Sequence, residues 1–179
     1  MGILAVLLVL SVIFVGLVFL VIKRPEASAP ASSARTALPP VDAVPLKMAM
    51  MDLDRGRAAT ERQIASLSRL GFRDAGLLSG AQAGALLSAR DYARGCAMFL
   101  FGADWKKPAL EALLRETAVF IASDRKLRDA ARDWNDVLFK GGRETPAVPP
   151  ESPARREVMR QMAKLLAEAQ ASGSLSIET

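Results

Sequence analysis

At 179 residues the chain has room for one modest domain once an anchor and linkers are set aside. It has no histidine and one cysteine, so a Ser-His-Asp triad, a Cys-His pair, a His-ligated zinc site and an internal disulfide are all excluded by composition. The formal net charge of +5 is spread thinly, with no basic block interleaved with aromatics, which argues against nucleic acid and leaves a mild bias toward anionic lipid or acidic partners.

From Ile3 to Ile22 no residue is charged, and Ser11 is the one polar side chain. About 20 helical residues at ~1.5 Å each span a hydrocarbon core of roughly 30 Å. The run predicts an uncleaved transmembrane anchor over residues 1–23, with the membrane as a partner through Ile3 to Ile22. A cleaved signal peptide would have a basic n-region and a shorter apolar core. Its candidate cleavage site, Ala27-Ser28-Ala29, is followed by Pro30. Lys23 and Arg24 directly follow the span, so the positive-inside rule places the C-terminal domain in the cytoplasm, on a single-pass protein of the cell (inner) membrane.

Residues 24–46 are rich in Pro, Ala and Ser, with Pro25, Pro30, Pro39, Pro40 and Pro45. Such a stretch has no apolar period to bury and is expected to be a disordered or polyproline tether.

A helical domain is expected over residues 47–142. Its first helix is predicted from Lys47 to Leu70, weakened by Gly56 and ended by Gly71, with Phe72 folding back on it. The second runs from Ser79 to Phe101 and stops at Gly102. Ala81, Ala85, Ala89, Ala93 and Ala97 recur at a spacing of four, forming a smooth ridge that suits close helix approach. That ridge serves either an internal contact or self-association. A small domain needs every apolar face it has, which favours the internal contact. The third segment begins near Asp104 with Pro108 in its first turn. It continues past Ser123, a candidate cap for a fresh start, through Leu127, Ala131, Trp134 and Leu138 to Gly141-Gly142. One bent helix or two both satisfy this pattern.

Pro146, Pro149 and Pro150 mark a linker over residues 143–152. Ser152 as N-cap and Pro153 at the first helical position then open an amphipathic helix over residues 153–171, with Val158, Met162 and Leu165 as its stripe. This stripe is expected to dock on the bundle. Residues 172–179 form a polar tail expected to be disordered. No strand candidate stands out.

No residue set carries an expected catalytic, cofactor or metal role. In the charge cluster from Asp124 to Asp136, Arg125, Arg128 and Arg132 interleave with Asp129 and Asp133 at spacings that favour a solvated ion-pair face. Cys96 sits in an apolar stretch and reads as a small buried residue. Met48, Met50 and Met51 cluster at the domain's start, where methionines either fill a core or offer an adaptable docking surface.

The expected fold is therefore all-α: an N-terminal single transmembrane helix, a tether, and a small bundle of four to five helices. The expected function is a non-catalytic, membrane-tethered protein–protein interaction module, an assembly or scaffold component. Its candidate faces are the alanine ridge, Met48 with Met51, and the terminal stripe. A protein partner is expected, with homo-oligomerisation through the ridge as one form of it. Two alternatives come from other classes. One is a membrane-anchored enzyme working with carboxylate, Arg, Lys, Tyr or Ser chemistry, which a burial-perturbed carboxylate in a cleft would favour. The other is an envelope-surface or nucleic-acid binder, which a basic face would favour.

Overall fold

The computed structural model describes residues 40–102, 110–140 and 148–171. The expected anchor, most of the tether, the Pro108 turn, the Gly141-Gly142 stop and the polar tail lie outside the described residues. Among those described, no helix is long and apolar enough to cross a membrane.

The described chain is mostly helical, an all-α bundle. A two-residue strand β1 (Val41–Asp42) leads into α1 (Ala43–Ala49) and a 3₁₀ turn (Met51–Leu53). Next come α2 (Glu61–Arg69), strand β2 (Phe72–Arg73) and a second 3₁₀ turn (Ala75–Leu77). The long α3 (Gly80–Phe101), α4 (Leu110–Ser123), α5 (Arg125–Lys140) and α6 (Pro153–Ala171) complete it.

Three expectations need correction. The fold begins at Val41, not after Leu46. β1 pairs in parallel with β2, Val41 opposite Phe72, and Ala43 and Leu46 are core residues. Pro45 does not prevent α1, because in the first turn its missing N–H costs no helical hydrogen bond.

The single helix expected over residues 47–70 is two. α1 ends at Ala49 and the 3₁₀ turn at Leu53; Gly56 then takes φ +109° in the connecting loop, which pairs with the start of α3: Ala59 N–H donates to Leu78 O (3.1 Å) and Gly80 N–H to Arg57 O (2.8 Å). Thr60 then opens α2 with a capping box, its hydroxyl accepting from Gln63 N–H and the Gln63 side chain accepting from Thr60 N–H.

The third correction is at the break between α4 and α5. Asp124, not Ser123, caps α5, its Oδ1 accepting from Leu127 N–H at 2.9 Å. Ser123 belongs to α4, and its hydroxyl donates back to Val119 O (2.8 Å).

Two helix starts match the reading. Ser79 caps α3 through a second capping box with Gln82, and Ser152 Oγ accepts from Arg155 N–H (3.1 Å) at the head of α6. Gly71 ends α2 with φ +86°, as a C′ glycine does. The core joins α1, α2, α3, α4 and α5 to the stripe of α6. Leu67, Leu86, Leu114, Ile121, Trp134, Val158 and Met162 are all buried in it.

Candidate functional site

The alanine ridge divides along α3. Ala89, Ala93 and Ala97 are buried in the bundle, Ala85 is half-buried and Ala81 is exposed. Small side chains let α3 serve as the central helix, approached closely by its neighbours. The stripe of α6 also turns inward, with Val158 and Met162 in the core and Leu165 packed against it.

The methionine face divides differently. Met50 is buried and its backbone carbonyl accepts from Gln82 Nε2 (3.0 Å). Met48 and Met51 are 68% and 69% exposed, and Val44, one turn earlier, is 46% exposed. Val44 and Met48 are spaced as i and i+4, one row on α1, and Met51 follows in the 3₁₀ turn. α1 thus buries one side through Ala43 and Leu46, with Met50 buried just after its end, and leaves Val44 and Met48 exposed on the other.

A groove that the sequence reading missed lies between α3 and α5. It is lined by Asp91, Arg94, Gly95, Met98, Asn135, Leu138 and Phe139, with a volume of about 310 Å³. Phe139, at its edge, is 80% exposed. Asn135 Nδ2 donates to Ser88 Oγ (3.0 Å) and ties the two helices together. Burial raises the Asp91 pKa above the ordinary carboxylate range, and Arg90 and Arg94 act against it. The signal available in the sequence was weak: Asp91 and Asn135 sit on separate helices, and only packing brings them to one groove.

Among the described residues three arginines are buried, and for Arg128 this is contrary to the solvated face expected of it. Arg128, read as part of the ion-pair face, donates from Nη1 to Ala122 O (2.8 Å) and pairs with Asp52 across the fold. The rest of that face is as expected, Arg132 lying 3.1 Å from Asp129 and 3.7 Å from Asp133 at the surface. Arg155 donates to Pro149 O (2.9 Å), approaches Glu151 (3.7 Å), and stacks over the Phe99 ring at 4.0 Å, which fastens the head of α6 to α3.

Arg115 on α4 differs from both. Its Nε and Nη1 are buried without an acceptor, and burial lowers its pKa, opposed by Glu116. A guanidinium nonetheless stays protonated at any physiological pH.

Cys96 is buried, and burial pushes its thiol up to about 12, with Arg155 acting against it. Among the described residues no group of three or more Cys, Asp or Glu side chains is placed to hold a metal ion.

No family model, curated protein or solved structure matches this chain.

Proposed function

We propose that the chain is a membrane-tethered protein-interaction module, anchored by Ile3 to Ile22 with its helical domain in the cytoplasm, and that Val44, Met48 and Met51 form its docking surface. The observation that carries this reading is the exposed apolar surface itself. Val44 and Met48 stand one turn apart on the exposed side of α1, whose other side is core, and Met51 is exposed in the 3₁₀ turn that follows. Of the three faces singled out from the sequence, it is the one whose side chains point mainly outward. Unbranched methionines adapt to varied partner shapes, which suits a docking helix better than a rigid aromatic would. Such a surface is read by a partner helix with its own i, i+3, i+4 anchors.

The test is a photo-crosslinking residue at Met48 in the full-length chain in cells, with a second at the exposed Gln170 as control. A discrete protein adduct at residue 48, lost in a Met51→Asp background that leaves the thermal midpoint unchanged, is the expected result. Adducts of equal strength at residue 170, or adducts to lipid alone, would remove it as a protein-docking surface.

One observation favours an enzyme as a second reading. Asp91 lines the groove between α3 and α5 with a pKa raised by burial, the environment that a carboxylate general acid uses. Asp91→Asn would abolish any turnover found there while leaving the Met48 adducts intact.

A further inference from the structure

The 3₁₀ turn Met51–Leu53 presents Met51 to solvent but has no buried residue of its own to hold it. A short turn without buried apolar contacts is ordinarily among the first parts of a fold to open. Polar ties set its place instead. Gln82 Nε2 donates to Met50 O (3.0 Å) at the head of the turn, and Ser79 Oγ to Leu53 O (3.1 Å) at its end. Lys47 lies 3.8 Å from Asp54, but both side chains are 40% exposed and Lys47 belongs to α1 itself. The side chain in the middle of the turn, Asp52, pairs with Arg128 of α5, 76 positions along the chain.

That pair differs from a surface ion pair, in which two solvated partners gain little from meeting. Arg128 is 6% exposed, and its Nη1 donates to Ala122 O (2.8 Å) in the last turn of α4. One edge of the guanidinium is thus fixed to the bundle while Nη2 holds Asp52. Release of Asp52 would leave a buried charge short of its counter-ion, which is strongly unfavourable. A planar guanidinium makes both contacts at once, whereas an ammonium is a single point of charge. The junction of α4 and α5 therefore reaches across the fold to the turn that carries Met51.

We infer that Arg128 is a positioning residue for the docking surface: through Asp52 it holds the 3₁₀ turn where Met51 extends the exposed side of α1. The purpose of this contact rests on the docking reading given above; its geometry does not. Val44 and Met48 are placed by α1, whose Ala43 and Leu46 are in the core, and need no such tie. Met51, on a turn with nothing buried, does. A surface already in place binds more tightly than one that must be ordered by its partner.

The test uses the full-length chain in nanodiscs, with isotope-labelled methionine methyl groups followed by NMR. Asp52→Ala and Arg128→Met, each alone, should shift and sharpen the Met51 signal and leave those of Met48 and the buried Met162 in place. The double variant should move Met51 no further than either single one, because both remove the same contact. If Arg128→Met does not fold, Arg128→Lys takes its place and should displace Met51 part-way. In cells, photo-adducts from residue 48 should fall about fivefold in Asp52→Ala, as the fraction of chains ready to bind falls. A Met51 signal unmoved in Asp52→Ala, or moved only by the change at Arg128, would overturn the inference, because the effect would then be a general loosening of the α4–α5 junction. Additive shifts in the double variant, or undiminished adducts in Asp52→Ala with Met51 displaced, would overturn it too. A wild-type chain that gives no adduct at residue 48 would remove the docking reading alone, and the methyl signals would still decide whether Arg128 places Met51.

Discussion

Cys96 shows how burial at one residue becomes a property of the whole fold. The neutral thiol is comfortable in its apolar site, whereas the thiolate would need water, so its pKa stands at about 12 in the fold against a reference of 9.0. The folded state holds this proton more tightly than the unfolded chain. The stabilisation is complete below about pH 9 and is lost as the pH rises from there through about 12. Tyr92, raised by burial with Ser152 acting against it, adds to the same slope at higher pH. Thermal midpoints should therefore fall between pH 8.5 and pH 10.5 in the wild type and fall less in Cys96→Ala. Parallel curves for the two proteins would show that the thiol does not contribute. The burial of Cys96 was legible because its sequence neighbours are apolar. The fates of Arg115, Arg128 and Arg155 were not. The acceptors of Arg128 lie on α4 and near α1, that of Arg155 lies in the proline-rich stretch before α6, and Arg115 rests on a glycine in a different element. A charged residue inside an apolar stripe, as Arg115 is between Leu114 and Thr117, was the one visible sign.

Two capping boxes of the same form, Thr60 with Gln63 and Ser79 with Gln82, start α2 and α3, yet the structure gives them different weights. Gln63 works near the surface, and its Nε2 donates to Gly80 O (3.1 Å). Gln82 is fully buried; its Oε1 accepts from Ser79 N–H (3.0 Å), and its Nε2 donates to Met50 O (3.0 Å) and Lys47 O (3.3 Å). It thus satisfies the last carbonyls of α1 while it caps α3, and Ser79 Oγ adds a bond to Leu53 O (3.1 Å). Removing a cap typically costs about 1 kcal/mol, while leaving buried carbonyls without donors adds ~1–3 kcal/mol. Gln63→Ala should therefore lower urea stability by about 1 kcal/mol and Gln82→Ala by roughly 2–4 kcal/mol. Equal losses would mean that the bonds to α1 contribute little. Both boxes could be read from the pattern Thr/Ser-x-x-Gln, and the first would have corrected the long helix expected over residues 47–70. What the pattern cannot reveal is the second half of the Gln82 role, because the α1 carbonyls lie more than thirty residues away in sequence.

At the scale of the molecule the open question in the sequence was where the tether ends, and proline led the reading to place that point six residues too late. Pro39, Pro40 and Pro45 resemble a linker by composition, but Val41 N–H donates to Gly71 O (2.9 Å), and Ala43 and Leu46 enter the core. α6, by contrast, follows a proline-rich stretch and still docks as expected, because the i, i+4 row of Val158 and Met162 leaves it an apolar stripe to bury. The stretch at the start of α1 offered no such period, only Val41, Ala43, Val44 and Leu46 among prolines, and its burial goes with the strand pair that β1 makes with β2. The two boundaries make different proteins. A fragment beginning at residue 40 retains Val41, Ala43 and Leu46; one beginning at residue 47 leaves the Gly71 carbonyl without its donor and removes Ala43 and Leu46 from the core. Burial of a leucine is worth about 1.5–3 kcal/mol, and the alanine and the lost hydrogen bond bring the difference to roughly 3–5 kcal/mol. Set against a total of about 5–15 kcal/mol for a domain of this kind, that loss is a large fraction of the stability. The fragment 40–179 should unfold cooperatively in urea, and the fragment 47–179 at a markedly lower midpoint or without a folded baseline. Coincident unfolding curves would return the boundary to residue 47 and make β1 an ornament of the fold, and with it the burial that turns Met48 and Met51 outward.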